Sequence, residues 1–273
     1  MPTTRTVLIT GASSGIGRIT ALQLLKRGWT VHAAARRVDA MEDLRGRGAV
    51  VHALDITDSD SRQALSDAVA EHGGGLDALV NNAGYGDVGP LETMPLDAAR
   101  AMFEVNVFGL MGLTQALLPA MRSRGQGRIV NISSIAGRFV TPGAGWYGAS
   151  KFAVEALSDA LRMELQSFGV KVVVIEPGLI RTGFEAVSQP SLAAGGDDPV
   201  WGRMMQNVAT AWAEGFRQGS DPDVVAACIE RALTEADPSP RYRCGSSSES
   251  ALIQRFIPTR LWDAMVRRRM IGD

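Results

Sequence analysis

The sequence predicts an α/β fold, a doubly wound parallel sheet of about seven strands with helices on both faces. Short β-branched or apolar runs alternate with longer amphipathic ones along most of the chain. The short runs are almost continuously apolar, as expected of strands buried on both faces. The stretches between them are long enough for crossover helices, which join parallel strands with right-handed connections. At 273 residues the chain can bury one large core.

In chain order, TVLIT (6–10) is the first strand and residues 15–27 the first helix, followed by strands TVHAAA (30–35) and AVVHAL (49–54). A helical pattern near 58–72 leads into DALVN (77–81), and another near 97–124 into GRIVNIS (127–133). The pattern at 148–168 precedes KVVVIE (171–176). Gly- and Pro-rich stretches at 137–145 and 189–199 predict loops, the second long enough for a mobile lid. Beyond about residue 240 come a short strand candidate, RYRCG, and an Arg-rich helical tail. The organisation predicted is one domain over 1–240 with 241–273 as its C-terminal extension.

The net charge of −1, with both signs dispersed, argues against a nucleic-acid partner. Cys228 and Cys244 are far from any metal-ligand spacing and predict two buried free thiols in a reducing cytoplasm. His32, His52 and His72 are scattered singly, which speaks against zinc and leaves no metal site. No apolar run reaches the roughly 18 residues of a membrane helix. The start MPTTRTVLIT lacks the apolar core of a signal peptide, so the cytoplasm is the expected location.

Directly after the first strand comes TGASSGIG, with Gly11, Gly15 and Gly17, and a helix opens behind it. Glycines permit a tight turn and close approach of a pyrophosphate, and the helix N-terminus offers free N–H groups and a positive dipole end. Between the first strand and first helix of an alternating chain, this turn points to a dinucleotide on a Rossmann-like sheet. Further on, YGASK sets the Tyr147 phenol and the Lys151 ammonium one helical turn apart, on one face.

Taken in order over about residues 5–235, these motifs resemble those of the short-chain dehydrogenase/reductase family, in its single-domain form. TGASSGIG is similar to the family's cofactor turn, with Ser13, Ser14 and Ile16 beside the glycines. Asp55 in LDITD resembles its adenine-contacting Asp, with Ile56 adjacent. In NNAG, Asn82, Ala83 and Gly84 resemble the cofactor-lining end of the fourth strand. Asn106 in NVFG matches the active-site Asn, and Tyr147 and Lys151 match the YxxxK pair. Ser134 lies thirteen residues before Tyr147, the family's usual interval, which favours it over Ser133. EPGLIRT resembles the segment meeting the nicotinamide, with Pro177, Gly178, Ile180 and Thr182.

The resemblance implies an oxidoreductase that interconverts a carbonyl and an alcohol by hydride transfer. Tyrosine's pKa near 10 is too high for easy proton exchange at neutral pH. A cation one helical turn away favours the phenolate, which makes Lys151 the activator of Tyr147. By resemblance Lys151 also binds the nicotinamide ribose, Ser134 positions the substrate oxygen, and Asn106 holds a water in a proton relay. The cofactor expected is NADP(H): the second strand runs into Arg36 and Arg37, and Ala35 stands where the family's NAD users tend to carry Asp. Arg36 is the expected clamp for a 2′-phosphate, with Ser13 as a second donor.

Trp201, Met204, Met205, Val208, Trp212 and Phe216 form an apolar face at helical spacing, read either as core or as a lid over an adaptable apolar pocket. The long tail resembles those of steroid- and retinol-dehydrogenase-like members, which points to a bulky lipophilic substrate. The family's habit of pairing through its two long helices implies a homodimer or homotetramer. Leu110, Leu113, Leu117, Leu157 and Leu161 stand on those helices, some necessarily facing the sheet. Two other functions use the same fold: a non-catalytic dinucleotide sensor, and a cofactor-retaining epimerase or dehydratase.

Overall fold

The computed structural model describes residues 4–72, 75–249, 253, 254 and 256–272. Its strands are β1 (Thr6–Thr10), β2 (Thr30–Ala35), β3 (Val50–Ala53), β4 (Ala78–Asn81), β5 (Gly127–Ile132), β6 (Val170–Pro177) and β7 (Arg241–Cys244). They form one seven-stranded sheet in the order β3-β2-β1-β4-β5-β6-β7, every pair parallel. The chain winds outward from β1 in one direction to β3, then returns beside β1 with β4 and runs the other way. The carboxyl ends of β1 and β4 therefore meet at the point where a doubly wound sheet opens a crevice.

Period-two alternation assigns each strand's residues to the two faces. Val7, Ile9, Val31 and Val130 pack under α1 (Gly15–Lys26) and α9 (Asp223–Thr234). Leu8, Leu79, Ile129 and Val172 face α3 (Ser59–Glu71), α5 (Leu110–Arg124) and α6 (Gly145–Glu164). A short α2 (Glu42–Arg45) precedes β3, and α4 (Leu96–Phe103) precedes α5. The chain closes with α7 (Phe184–Gly196), α8 (Gly202–Arg217) and, after β7, α10 (Thr259–Met270).

Several expectations are corrected. The helical pattern at 97–124 is interrupted by a turn of π-helix, Glu104–Gly109, which widens the backbone around Asn106. Most of the predicted loop at 189–199 is the second half of α7, packed against α8. The run Leu96–Arg124 is long and apolar enough by composition to cross a membrane, whereas the sequence predicted no such stretch. Its Leu113, Leu117 and Met121 pack on the sheet as those of a core helix do. Leu110, Leu113, Leu117 and Leu161 are buried within the chain and Leu157 is half-buried, so the exposed large apolar residues of 98–124 and 148–168 are Phe108, Phe152, Met163 and Phe168.

The histidines, separate in sequence, converge in space. His32 on β2 bonds His52 on β3 at 2.9 Å between ring nitrogens, and His72 meets the His32 ring edge-on. Among the described residues no group of His, Cys, Asp and Glu is arranged to hold a metal. Cys244 is buried and Cys228 half-buried, both as free thiols.

Candidate active site

A cleft of about 1580 Å³ runs along the carboxyl edge of the sheet. Single ligand pockets usually measure about 300–1,000 Å³, so this one has room for a dinucleotide and a substrate together. Of the catalytic and cofactor-binding residues expected from the sequence, all but Gly17 and Asn106 line it. Those two lie behind its wall.

The glycine turn is shaped by contacts that a side chain would block. Gly11 has φ +67°, and a Cβ on Gly17 would come within 2.5 Å of Asn82 Nδ2 and 2.6 Å of the Gly11 carbonyl. Thr10, which sequence reasoning passed over, locks the turn to the fourth strand: its Oγ1 accepts from the N–H groups of Asn82 and Ala83, both at 3.0 Å. The first turn of α1 carries no acidic residue, and Ser14 does not cap it with its side chain. Those N–H groups and the positive dipole end therefore remain available to an anion. The cradle fits the pyrophosphate of a nicotinamide dinucleotide.

At the middle of the cleft, Tyr147 lies in the first turn of α6 with Lys151 one turn on, its Nζ 5.9 Å from the phenol ring centroid. Lys151 donates to the Ile132 carbonyl at 3.0 Å. Ser134 opens a short turn after β5, its Oγ accepting from Ala136 N at 3.1 Å. Both Ser133 and Ser134 reach the cleft wall; Ser133 is buried, and Ser134 is the hydroxyl that acts on the phenol. Burial pushes the Tyr147 phenol up to about 12, and the Ser134 hydroxyl acts in the opposite direction. Burial also pushes Lys151 down to about 8, opposed by the Glu155 carboxylate. Both shifts favour a neutral pair.

The Asn106 side chain is already engaged. It accepts from Tyr85 N at 3.0 Å and donates to the Tyr85 carbonyl at 2.9 Å and to Ser150 Oγ at 3.0 Å. Its amide braces the segment after β4 against α6. Below it, Asn81 donates to Thr114 and to Asn131, which donates to Ser158, a buried polar ladder between sheet and helices.

At the far end, Arg36 and Arg37 follow β2 and are exposed on the cleft wall. Arg37, rather than Arg36, reaches Ser13, at 3.4 Å. Asp55 Oδ1 accepts from Thr57 N at 3.0 Å and Thr57 Oγ1 at 2.7 Å, bonds that hold its carboxyl below the usual range.

The opposite end is apolar. The Phe184 ring lies 5.6 Å from Tyr147 and 6.4 Å from Phe216, which in turn meets Trp212 at 5.8 Å. Phe139 meets Trp262 of α10 at 5.1 Å, bringing the tail over the cleft. The stripe on α8 is divided: Met204, Met205 and Val208 form a small core with Trp201 and Met270, while Trp212 and Phe216 line the cleft. Phe184, Phe139 and Trp262 were not found from the sequence. Their only signal there is aromatic character, without a motif spacing.

The short chain dehydrogenase profile matches residues 5–192, well over half of the chain. The chain belongs to the short-chain dehydrogenase family. It is similar to the uncharacterized oxidoreductase YbbO of Escherichia coli (strain K12), 38% identical over 266 residues, covering 96% of this chain and 94% of that one. It is similar also to retinol dehydrogenase 16 of Rattus norvegicus, 36% identical over 279 residues, 95% of this chain and 86% of that one. Among solved structures, a short-chain dehydrogenase from Streptomyces avermitilis superposes with TM-score 0.83 at 33% identity, covering 99% of this chain and 98% of that one. A serine dehydrogenase complexed with NADP+ gives 0.77 at 26% identity, covering 88% and 94%. A family member from Burkholderia phymatum in complex with NAD gives 0.78 at 27%, covering 97% and 92%. As a short-chain dehydrogenase, resembling the retinol dehydrogenase-like members, this protein is an NAD(P)-dependent oxidoreductase acting on CH–OH and C=O groups.

Proposed function

We propose that this short-chain dehydrogenase uses NADP(H) to interconvert a bulky lipophilic carbonyl compound and its alcohol, with Tyr147 as the general acid/base. The observation that carries the reading is the position of Tyr147: buried, beside Ser134 on the cleft wall, and at the junction of the glycine-turn half and the aromatic half of one cleft. When bound, the dinucleotide supplies or takes up hydride and, oxidised, a positive ring charge. Tyr147 gives its proton to the carbonyl oxygen in reduction and takes it back in oxidation. Ser134 holds that oxygen against the phenol, so that the proton moves within hydrogen-bond reach. Lys151, as an ammonium, opposes the upward pull of burial on Tyr147. Because the Asn106 amide is engaged, a relay water would rest on its main-chain carbonyl in the π-turn.

Gly11, Gly15 and Ile16 would cradle the pyrophosphate and Asn82, Ala83 and Gly84 the next part of the dinucleotide. Pro177, Gly178, Ile180 and Thr182 would close over its nicotinamide end. NADP(H) is favoured by the exposed Arg36 and Arg37 beside buried Ala35, since guanidinium groups pair with a 2′-phosphate that an acidic residue would repel. With Arg37 joined to Ser13, Arg36 is the freer clamp and the Arg37–Ser13 pair a second contact. Lipophilic substrates are favoured by Phe184, Phe216, Trp212 and Trp262, which enclose the space beside the phenol. If subunits pair through the long helices, Phe108 and Phe152 are the apolar residues they would cover.

The experiment is NADPH and NADH oxidation followed at 340 nm with steroid, retinoid and aryl carbonyls. Net turnover with NADPH and a bulky ketone or aldehyde is the expected result. Tight cofactor binding without oxidation of either dinucleotide would favour the sensor or the cofactor-retaining epimerase.

A further inference from the structure

Behind the cleft lies a buried charge cluster that the acid/base reading leaves unused. Glu155 stands one helical turn beyond Lys151, as Lys151 stands one turn beyond Tyr147, so all three share a face of α6. Its buried carboxylate lies 3.0 Å from Arg138 Nη2, just past the Ser134 turn, and 3.1 Å from Arg241 Nε on β7. The same two guanidinium groups reach the fully buried Glu176 on β6 at 2.7 and 3.3 Å. Arg243 joins Glu176 at 3.0 Å, and Arg241 joins Asp159 at 2.6 Å. Arg162 also reaches Asp159, at 2.8 Å, so four arginines surround the three carboxylates and the cluster carries one net positive charge at its outer edge.

The other groups facing Lys151 bear no negative charge. They are the Ile132 carbonyl of β5, the Tyr147 ring of α6, and the Asn106 amide beside Gly84. A buried ammonium with neutral neighbours tends to give up its proton. Glu155, the carboxylate on that face, opposes this loss.

We propose that Glu155 is a positioning residue for the reaction: its carboxylate keeps Lys151 an ammonium, and the arginines it shares with Glu176 fix the Ser134 turn and the Pro177–Gly178 segment against α6. The role rests on Tyr147 and Lys151 being the acid/base pair. Burial drives Lys151 down to about 8 and the Glu155 charge acts against that fall. Burial likewise pushes the Glu155 carboxyl up, opposed first by the Ser133 hydroxyl, then by Arg138 and Arg241. A neutral Gln in its place would remove the carboxylate nearest Lys151 along the helix and leave one more arginine charge uncompensated beside the ammonium.

The chain has three lysines, Lys26, Lys151 and Lys171, so the side-chain NMR signals of lysine-labelled, cofactor-free protein give Lys151 its own titration curve. In Glu155→Gln its midpoint falls by about one unit, a tenfold loss of ammonium at a given pH. In Arg241→Gln, at a part-exposed position, the Glu155 charge is less compensated and the midpoint rises by about half a unit. The alkaline fall of kcat/KM for carbonyl reduction follows each midpoint in the same direction. An unmoved midpoint in folded Glu155→Gln overturns the proposal, and Arg241→Gln alone decides if the first variant does not fold. Midpoints that move while the pH profile stays in place overturn it too, and locate the failure in the assignment of Lys151 to the acid/base step.

Discussion

At Ala35 the chain presents a buried methyl group at the end of β2, and the next two residues are exposed arginines on the cleft wall. Ala35→Asp places a carboxylate where the adenosine ribose must approach, so it repels a 2′-phosphate and accepts bonds from a 2′-hydroxyl. The expected outcome is a fall of at least about tenfold in the ratio of kcat/KM for NADPH to that for NADH, since one lost charged contact is worth about 1.4 kcal/mol or more. A ratio that does not fall would show that the arginines do not read the phosphate. Residues of this kind are legible because their chemistry depends on type and spacing: the glycines at a strand-to-helix turn, and a phenol and an amine four apart. Thr10, Tyr85 and Phe184 were not legible. Each acts through a neighbour more than twenty residues away, Thr10 on Asn82, Tyr85 on Asn106 and Phe184 on Tyr147.

Among elements, the strands could be read because burial on both faces writes them as apolar runs, and β1 and β2 match their predicted bounds. The end of α7 could not be read, because Ser191, Gly195 and Gly196 have weak helix propensity and the helix depends on packing against α8. The π-turn at Glu104–Gly109 likewise lacks a local signal. The stripe on α8 makes the difference between packing and function testable within one helix. Met205 is fully buried and Phe216 lines the cleft. Met205→Ala costs about 2–5 kcal/mol of stability, as for other buried large-to-small changes, and leaves KM nearly unchanged. Phe216→Ala raises KM for a bulky ketone about tenfold, by loss of apolar contact of about 1–3 kcal/mol, with little effect on a small aldehyde. Urea unfolding and steady-state kinetics on both variants check this, and equal KM effects would contradict it.

Beside the Asn81–Asn131 ladder, the whole molecule carries two polar assemblies that sequence spacing could not reveal, because sheet order brings their members together. The ion cluster around Glu155 joins β6, β7 and α6, and the histidines join β2, β3 and the end of α3. Burial, then the neighbouring His52 and His72, hold His32 down at about 4, from 6.5. The folded chain thus binds this proton less readily than the unfolded chain. Stability from this source is complete above pH 6.5 and is lost as pH falls from 6.5 towards 4. Thermal unfolding should show Tm falling by on the order of 5 °C from pH 7 to pH 5, with a smaller fall in His32→Leu; an equal fall would assign the loss to other groups. The central claim, that this cleft exchanges a proton through Tyr147 as it reduces a carbonyl, is tested most directly by Tyr147→Phe. NADPH binding is first measured by fluorescence in both proteins, and NADPH oxidation with the best carbonyl substrate is then compared. The account predicts nearly equal binding and a turnover lower by roughly two to four orders of magnitude, the range for a lost general acid/base. Turnover near that of the wild type would contradict it.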